Sequence, residues 1–411
     1  MRVTSTRRPI RIAHLGLGNF FRAHQAWYTG HAADAERWGI AAFTGRTWGE
    51  VADKMAANDG IYTLVVRGAD GDRPEPVESV VAVLPCDPLD DWLRVFAQPD
   101  LAVVTLTVTE AGYRARGEQS APARLVAGLA VRRDAGLPPL TLVPCDNLPS
   151  NGAILRAAVL EVAGEADPGL ADWIDGRCGF VTTLVDRITP RPDDPLCVVT
   201  EPYTEWVLSG EFVAGRPAWE AAGARFVDDL EPWERRKLWL LNGSHSLMAY
   251  AASIRGHETV ADAIADPVVR DWVEQWWDDA ARHLPLPADE IASYRAALLN
   301  RYENPRIRHL LAQIAADGSQ KLPVRTLPVL AAELAEGRVA RGATRAVAAW
   351  TLHLRGLGAP LTDPAAADLA ERIAGAALPD AAAAVLDALG ADDPRVLEAV
   401  VEQAKELDGH V

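Results

Sequence analysis

The stretch Arg11-Ile-Ala-His-Leu15-Gly16-Leu-Gly18-Asn19-Phe20 determines the first unit of the fold. A short apolar run ends at two glycines, and helix-like sequence follows from Arg22 to Ala33. A dinucleotide-binding turn belongs between a strand and a helix, because glycines let the backbone approach a pyrophosphate at the start of the helix. The third position of this fingerprint is Phe21 instead of glycine, so the turn also fits a tight connection that binds no nucleotide.

Short apolar runs recur along the next part of the chain, and helical segments such as Pro88–Phe96 and Ala121–Arg133 separate several of them. The runs are Trp38–Thr44, Tyr62–Val66, Val80–Leu84, Leu101–Val108, Leu140–Val143, Val181–Val185 and Cys197–Thr200. Buried strands that alternate with helices indicate a parallel sheet covered by helices.

The rest of the chain, which is rich in Ala and Leu towards its end, reads as helices separated by turns. We therefore predict an α/β protein with two domains. A Rossmann-like, parallel-sheet domain spans residues 1–230, and a mainly α-helical domain spans residues 231–411.

Composition excludes several classes of protein. The formal net charge of −16 argues against binding to nucleic acid or to an anionic membrane. The four cysteines are widely separated and have no zinc-like spacing. There is no signal-peptide pattern and no apolar window of about 18 residues. We expect a cytoplasmic protein, a monomer or weak oligomer, whose partner is a small molecule.

Polar residues at the ends of the apolar runs are candidates for a ligand crevice, which lies at the carboxyl ends of parallel strands. Thr109 and Glu110 follow one run, and Asp186 closes another. Asn147 stands in an Asx-rich loop, and its amide could donate to a developing oxyanion. The alternatives are ordinary turns and, for Asp186, a salt bridge to Arg187 or Arg191.

The cofactor preference stays open at this stage. The acid expected at the end of the second strand, for the ribose 2′-hydroxyl, is absent, and the nearest acid is Glu50. Arg46 at this place could accept a 2′-phosphate, so NAD is predicted with NADP as an alternative. The predicted cofactor-binding residues are Gly16, Gly18, Asn19, Phe20, Arg46, Thr109 and Glu110.

A second informative stretch is Glu234-Arg-Arg-Lys237-Leu-Trp-Leu-Leu-Asn242-Gly-Ser-His245. At about 100° per residue, Glu234, His245 and Asn242 fall near 60°, 80° and 140° from Lys237. The apolar residues between them favour burial, and a buried amine loses pKa and can act as a base near neutral pH. The alternative is a solvated charged face followed by a core histidine.

Several segments together resemble the mannitol dehydrogenase family of long-chain polyol dehydrogenases, which also contains fructuronate and tagaturonate reductases. The segments are His14–Tyr28, Thr105–Tyr113, Cys145-Asp-Asn-Leu-Pro-x-Asn-Gly152, Val185–Pro190, Lys237-x4-Asn242-x2-His245, Asn304-Pro-x-Ile307 and Asp317-Gly-Ser-x-Lys321. The glycine turn is unspecific, whereas the Lys-x4-Asn-x2-His helix with the Cys-Asp-Asn-Leu-Pro loop is highly specific.

The resemblance implies an NAD(P)-dependent oxidoreductase that needs no metal. We therefore expect residues 1–230 to bind NAD(P), residues 231–411 to form the substrate and catalytic domain, and the active site to lie in the cleft between them. It implies that Lys237 is the general acid/base and that Asn147 and Asn242 hold the reacting oxygen. Glu234, one turn before the lysine, would help to move protons to and from it.

The resemblance also implies that His245, Asp186 and Lys321 hold the hydroxyls of a polyol, and we count His245 among the catalytic residues. Some family members carry an arginine eight residues before the equivalent of Lys321, where this chain has Gln313. An arginine would pair with a substrate carboxylate. Gln313, taken as a substrate-binding position, therefore favours a neutral polyol, and we predict mannitol and fructose as the substrate pair.

Three alternatives remain. The chain could be a fructuronate or tagaturonate reductase that acts on a sugar acid. It could be a nucleotide-sensing binding protein without catalysis, although such a protein has no need of the lysine. It could also be a helical interaction scaffold that uses its Ala-rich end.

Overall fold

A computed structural model describes residues 8–45, 47–108, 110–190 and 194–409. Two of the predicted cofactor residues, Arg46 and Thr109, lie outside these ranges, and the side chain of Glu110 is also outside the description. The chain divides into two compact units between Leu230 and Glu231.

The N-terminal unit contains the strands of the described chain. They are β1 (Ile10–Leu15), β2 (Gly39–Phe43), β3 (Tyr62–Gly68), β4 (Gly71–Val77), β5 (Val80–Leu84), β6 (Val103–Leu106), β7 (Thr141–Pro144), β8 (Gly179–Phe180), β9 (Thr182–Asp186), β10 (Cys197–Thr200), β11 (Glu205–Ser209) and β12 (Arg225–Phe226). Six of them form one parallel sheet in the order β5-β2-β1-β6-β7-β8. Counted along the sheet's own strands, this is the doubly wound order 3-2-1-4-5-6, which confirms the predicted Rossmann-like architecture.

Helices of the N-terminal unit connect these strands. They are α1 (Asn19–Ala23), α2 (Gln25–Gly30), α3 (Glu50–Ala57), α4 (Asp90–Phe96), α5 (Glu110–Arg114), α6 (Ala121–Asp134), α7 (Asn151–Ala166) and α8 (Pro168–Arg177), with 3-10 turns at Ala35–Arg37 and Trp219–Ala222. The main sheet is buried on both faces, because Ile12 and the alternate residues Ala13 and Leu15 of β1 belong to different apolar clusters. Double-sided burial explains why its strands read as continuous apolar runs.

Three of the predicted apolar runs do not join the main sheet. The runs at Tyr62 and Cys197 form β3 and β10 of a mixed sheet with β4, and the run at Val181 forms β9 of a second one with β11 and β12. The expectation of one parallel sheet was wrong for these segments. An apolar run indicates that a strand is buried, and it does not tell which sheet the strand joins.

The predicted helix over Arg22–Ala33 is also interrupted. The structure has two short helices, α1 and α2, which meet at His24 with φ −122° and ψ −86°. The carbonyl of Ala23 accepts a hydrogen bond from Arg187 Nη1 at 2.5 Å, and His24 Nε2 lies 2.9 Å from the Glu205 carbonyl. Contacts with residues distant in the chain therefore stabilise the break.

The C-terminal unit is helical, as predicted, and in its described residues the strand-like pairing is an isolated bridge between Thr259 and Leu310. Its helices are α9 (Glu231–Arg236), α10 (Ser244–Leu247), α11 (Val260–Ala265), α12 (Pro267–Ala281), α13 (Ala288–Tyr302), α14 (Leu311–Ala315), α15 (Gly318–Arg325), α16 (Leu327–Ala335), α17 (Arg341–Leu354), α18 (Ala367–Ile373), α19 (Leu378–Leu389) and α20 (Pro394–Asp408). Two π-helical segments, Lys237–Gly243 and Met248–Ala252, flank α10. A search of the described residues found no helix with the length and apolar character that a membrane span requires.

Candidate active site

The glycine turn lies where the order of the main sheet reverses, between β1 and β6, which is the ligand crevice of open α/β sheets. Gly16 has φ +112°, and a Cβ there would lie 2.4 Å from the Thr107 carbonyl oxygen. Its N–H and that of Leu17 both donate to the Phe43 carbonyl, at 3.0 and 3.2 Å. Gly18 is exposed and directly precedes α1. The turn therefore requires glycine at position 16, and at position 18 it is exposed to solvent.

A buried histidine of β1 contacts the glycine turn. The His14 ring stacks on Phe21 at a centroid distance of 3.6 Å, and burial lowers its pKa to about 3. Its Nδ1 lies 2.7 Å from Thr105 Oγ1, and its Nε2 lies 3.0 Å from the Gly16 carbonyl. The neutral ring thus packs between β1 and Phe21, the residue at the third position of the fingerprint. Sequence reasoning missed this role of His14, although a polar residue inside an apolar strand was a visible signal.

The predicted cofactor residues Asn19 and Phe20 are half-buried in α1. Asn19 Oδ1 accepts a hydrogen bond from Arg22 Nη2 at 2.7 Å. Phe20 stacks on His24 at a centroid distance of 4.9 Å. Both side chains therefore have partners within the neighbouring turns of α1 and α2.

A cavity of about 200 Å³ lies beside the glycine turn and the end of β2. Leu17, Thr44 and Thr47 line it, together with Glu50 at the start of α3. Glu50 is the acid that the sequence offers nearest to the end of the second strand, and its carboxylate lies 2.9 Å from Lys54 Nζ. This cavity stands where a Rossmann fold holds the ribose next to the glycine turn.

The Cys-Asp-Asn-Leu-Pro loop follows β7, and Asn147 is exposed within it. Leu148 N donates to the Asp146 carbonyl at 2.9 Å, which closes a three-residue turn around Asn147. Gly152, near the start of α7, is required because a Cβ there would lie 2.6 to 2.9 Å from atoms of Thr182. The motif therefore fixes α7 against β9 and presents Asn147 at the carboxyl edge of the sheet.

Asp186 ends β9 and is 8% exposed. It pairs with Glu205 in the antiparallel register between β9 and β11. The next residue, Arg187, donates to the carbonyls of Ala23 and Glu201, and its guanidinium lies 4.8 Å from the Trp27 ring centroid. Arg187 therefore binds main-chain carbonyls, and Asp186 provides an acid at the end of β9.

In the C-terminal unit, Lys237 begins a π-helical segment that ends at Gly243. The prediction of an α-helix at about 100° per residue was wrong for this segment. A π-helix makes hydrogen bonds between residues five apart, so each residue turns through a smaller angle. Asn242, five residues after Lys237, is therefore brought closer to the lysine's side of the helix than an α-helix would bring it.

Side chains from other helices satisfy the carbonyls of this π-helical segment. The indole nitrogens of Trp276 and Trp277 in α12 donate to the carbonyls of Trp239 and Leu240 at 2.8 and 2.9 Å. Arg325 Nη1 in α15 lies 3.5 Å from the Asn242 carbonyl. Inserted donors of this kind explain a departure from α-helical geometry, and such departures are frequent at functional sites.

Burial distinguishes between the interpretations of the predicted helix face. Lys237 is 6% exposed and Glu234 is half-buried, so the lysine does not belong to a solvated charged face. Asn242 is also half-buried. The acid, the amine and the amide therefore occupy one largely buried stretch of helix.

His245 is 7% exposed, and its Nε2 has no hydrogen-bond partner among the residues that the structure describes. Its ring lies 5.0 Å from the rings of both Tyr302 and His309. Burial lowers its pKa well below the usual value, and the charges of His309, Arg301 and Arg325 lower it further. His245 is therefore a neutral imidazole whose buried Nε2 has no partner among the described residues.

Lys321 lies in α15, in the Asp-Gly-Ser-x-Lys motif, and caps the preceding helix α14. Its ammonium donates to the carbonyls of Ile314 at 3.1 Å and Ala316 at 2.5 Å. An ammonium has three donors, so one N–H remains beyond these two bonds. Gln313 is exposed on α14. The lysine thus has a structural role whether or not it also binds substrate, and Gln313 lies on an exposed part of its helix.

No group of three or more His, Cys, Asp or Glu side chains that could hold a metal ion is found in the part of the chain that the structure describes. The four cysteines are free, and three of them are buried.

Comparison with known proteins gives matches over nearly the whole chain. The family model of the mannitol dehydrogenase Rossmann domain matches residues 10–221, and that of the mannitol dehydrogenase C-terminal domain matches residues 229–408. D-mannonate oxidoreductase of Escherichia coli (strain K12) is 35% identical over 390 residues, which cover 84% of this chain and 80% of the relative.

Two further proteins are similar. Mannitol 2-dehydrogenase of Cereibacter sphaeroides is 32% identical, with 84% of this chain and 81% of the relative covered. Among solved structures, the ternary complex of Pseudomonas fluorescens mannitol 2-dehydrogenase with NAD and D-mannitol matches with a TM-score of 0.77 and 31% identity. That match covers 98% of this chain and 92% of the other.

Proposed function

We propose that this chain, which belongs to the mannitol dehydrogenase family of oxidoreductases, transfers hydride reversibly between NAD and a secondary hydroxyl of a sugar alcohol. Mannitol and fructose are the proposed substrate pair. The single observation that carries the proposal is the buried Lys237 in a π-helical segment that also holds Asn242. A buried amine eight residues before the available Nε2 of His245 provides a base and a hydroxyl-binding group on one helix.

The glycine turn fits a nicotinamide dinucleotide. Position 16 leaves no space for a Cβ next to the Thr107 carbonyl, and the turn lies at the carboxyl ends of β1 and β6. When bound, NAD accepts the hydride of the alcohol carbon.

Alcohol oxidation requires a base at the hydroxyl while hydride leaves the same carbon. In the proposed mechanism Lys237 accepts the hydroxyl proton, and Glu234 relays it away. The amides of Asn147 and Asn242 donate to the alkoxide that develops, and each such donor is worth about 2.7–4 kcal/mol of transition-state stabilisation. A neutral amide suits this position because it stabilises the developing charge without fixing a permanent ion.

The remaining polar residues would hold the rest of the substrate. His245 Nε2 would bind a neighbouring hydroxyl, and Asp186 and the third N–H of Lys321 would bind hydroxyls further along the chain of the polyol. His245 Nε2 has no partner among the described residues, so a hydroxyl that pairs with it favours binding of a polyol over an apolar alcohol.

The proposal is tested with Lys237→Ala. We expect kcat for mannitol oxidation to fall by about 10²–10⁴-fold, the usual contribution of a general base. NADH binding, followed by cofactor fluorescence, should be retained, because the glycine turn is untouched. Lys405→Ala, an exposed lysine in α20 of the same unit, is the matched control and should keep normal activity. Near-normal turnover in Lys237→Ala would exclude the proposed mechanism.

A sugar acid is the second candidate substrate, and the charges around His245 favour it. The positive charges of Arg301 and Arg325 help to lower the pKa of this imidazole, so they would attract a substrate carboxylate that binds near it. Turnover should be compared for mannitol, arabinitol and mannonate with NAD and with NADP. Activity on mannonate alone would reject mannitol as the substrate. NADH binding without turnover on any of the three would favour the nucleotide-sensing alternative.

A further inference from the structure

One carboxylate oxygen joins two loops at the carboxyl edge of the main sheet. Tyr113 in α5 is 2% exposed, and its hydroxyl donates to Asp146 Oδ2. The same oxygen accepts a hydrogen bond from Val108 N at 3.1 Å. Val108 follows β6 and Asp146 follows β7, so this oxygen connects the segments after two adjacent strands.

The main chain of Asp146 is held as well. Its carbonyl accepts from Leu148 N at 2.9 Å, which closes the turn around Asn147, and from Asn151 Nδ2 at 3.1 Å. Asn151 is fully buried, and it exchanges hydrogen bonds of 2.9 Å with both the N–H and the carbonyl of Thr183 in β9. The turn that presents Asn147 is therefore anchored to β9 on one side and depends on Asp146 on the other.

The protonation states suit a strong contact. Burial raises the pKa of Tyr113, so its hydroxyl remains a donor. Burial raises the pKa of Asp146 to about 6, and the hydrogen bonds from Tyr113 and Val108 oppose that rise. The adjacent thiol of Cys145 also has a raised pKa because of burial, so it stays neutral. At neutral pH the contact is a hydroxyl donating to a carboxylate, which is stronger than a hydrogen bond between neutral groups.

We propose that Tyr113 and Asp146 form a clasp that positions the amide of Asn147 towards the reacting oxygen. Neither residue touches substrate in this proposal, so both are positioning residues. The inference rests on the proposed function, since it takes Asn147 as a donor to the alkoxide. Catalytic geometry has to be held within about 0.5 Å, and a turn of three residues holds its central side chain only while its ends are fixed.

The test is a double-mutant cycle on kcat with Tyr113→Phe and Asn147→Ala. We expect Asn147→Ala to lower kcat by about 10²–10³-fold, as loss of an oxyanion donor does. Tyr113→Phe should lower kcat about 10-fold and leave the KM for NAD unchanged. In the Asn147→Ala background, Tyr113→Phe should cause no further loss, because the amide that it positions is gone.

Tyr62→Phe is the matched control. Tyr62 is also 2% exposed and donates from its hydroxyl to a main-chain carbonyl, that of Arg22, at 2.5 Å. It should lower the melting temperature by a similar amount as Tyr113→Phe and leave kcat within about twofold. Asp146→Asn, which keeps an acceptor oxygen, should retain more activity than Asp146→Ala.

The clasp and the proposed function can fail independently in this test. Losses that multiply in the double variant, or an equal loss of kcat in Tyr62→Phe, overturn the clasp and leave the proposed function intact. Wild-type kcat in Asn147→Ala overturns the assignment of Asn147 in the proposed function, and the clasp with it.

Discussion

At Gly243, the packing cost of an added methyl group should outweigh the gain in helix propensity that alanine brings. An ideal Cβ on Gly243 would lie 2.4 Å from Trp276 Cζ2 and 2.9 Å from its Nε1. Trp276 is fully buried, so its ring cannot move out into solvent without losing that burial, and its Nε1 donates to the Trp239 carbonyl at 2.8 Å. Gly243→Ala therefore has to displace the indole or the π-helical backbone.

The magnitude follows from three contributions. Overpacking a core costs about 1–3 kcal/mol, and a buried carbonyl that loses its donor costs about 1–3 kcal/mol. The better helix propensity of alanine offsets about 0.5–1 kcal/mol. We expect a net loss of about 3 kcal/mol in the free energy of unfolding, which corresponds to a fall of about 6–12 °C in the melting temperature of a unit of this size. Because the segment carries Lys237 and Asn242, kcat should fall as well.

Thermal unfolding followed by circular dichroism measures the first effect, and steady-state kinetics measures the second. The control is Gly164→Ala in α7, where nothing lies within 4 Å of the added Cβ. The same substitution there should raise stability by about 0.5–1 kcal/mol and leave kcat unchanged. An unchanged or higher melting temperature for Gly243→Ala would refute the reasoning, because Trp276 would then have space that the structure denies it.

Two further predictions concern the cofactor turn and the response to acid. Gly16→Ala should raise the Kd for NADH at least about 10-fold, or about 1.4 kcal/mol, because the added Cβ would lie 2.4 Å from the Thr107 carbonyl oxygen. Gly164→Ala is the control. Unchanged affinity of Gly16→Ala in a cofactor titration would count against the assigned turn. His353 is 1% exposed, and burial lowers its pKa. Below about pH 6.5, His353 therefore binds a proton in the unfolded chain but not in the folded chain. The contribution of neutral His353 to the free energy of unfolding is fully present above that pH and is lost as the pH falls. His353→Phe should reduce this dependence between pH 6.5 and 5 by up to about 1.4 kcal/mol per pH unit in urea unfolding, and an unchanged slope would contradict it.

Much of the N-terminal unit could be predicted because its signals are local. The strand-glycine-helix pattern at Arg11–Phe20 and the apolar runs of β2, β5, β6 and β7 follow from burial on both faces of a parallel sheet. The runs at Tyr62, Val181 and Cys197 carried the same signal and joined other sheets. Of their partners, β4 consists mostly of charged residues and prolines, and the apolar centre of β11, Trp206–Leu208, is only three residues long.

The candidate site shows the same limit. Motif spacing named Lys237, Asn242, His245 and Asn147, and the structure places the lysine and the histidine among buried residues. The roles of Tyr113 and Asp146 were not visible, because their contact joins residues 33 apart in the chain. The positions of Arg46 and Thr109 lie outside the described residues, so their assignment to the cofactor stays a prediction.

The sequence by itself determined the family, the order of strands and helices around the glycine turn, and which residue types could carry the chemistry. These properties depend on patterns within a few residues and on motif spacing. Only the tertiary structure decided that Lys237 begins a π-helical turn, that His14 stacks on Phe21 next to the glycine turn, and that one oxygen of Asp146 joins two loops. Each of these depends on a partner brought close by folding, such as Trp276 for the π-helix, and a linear pattern contains no record of such a partner.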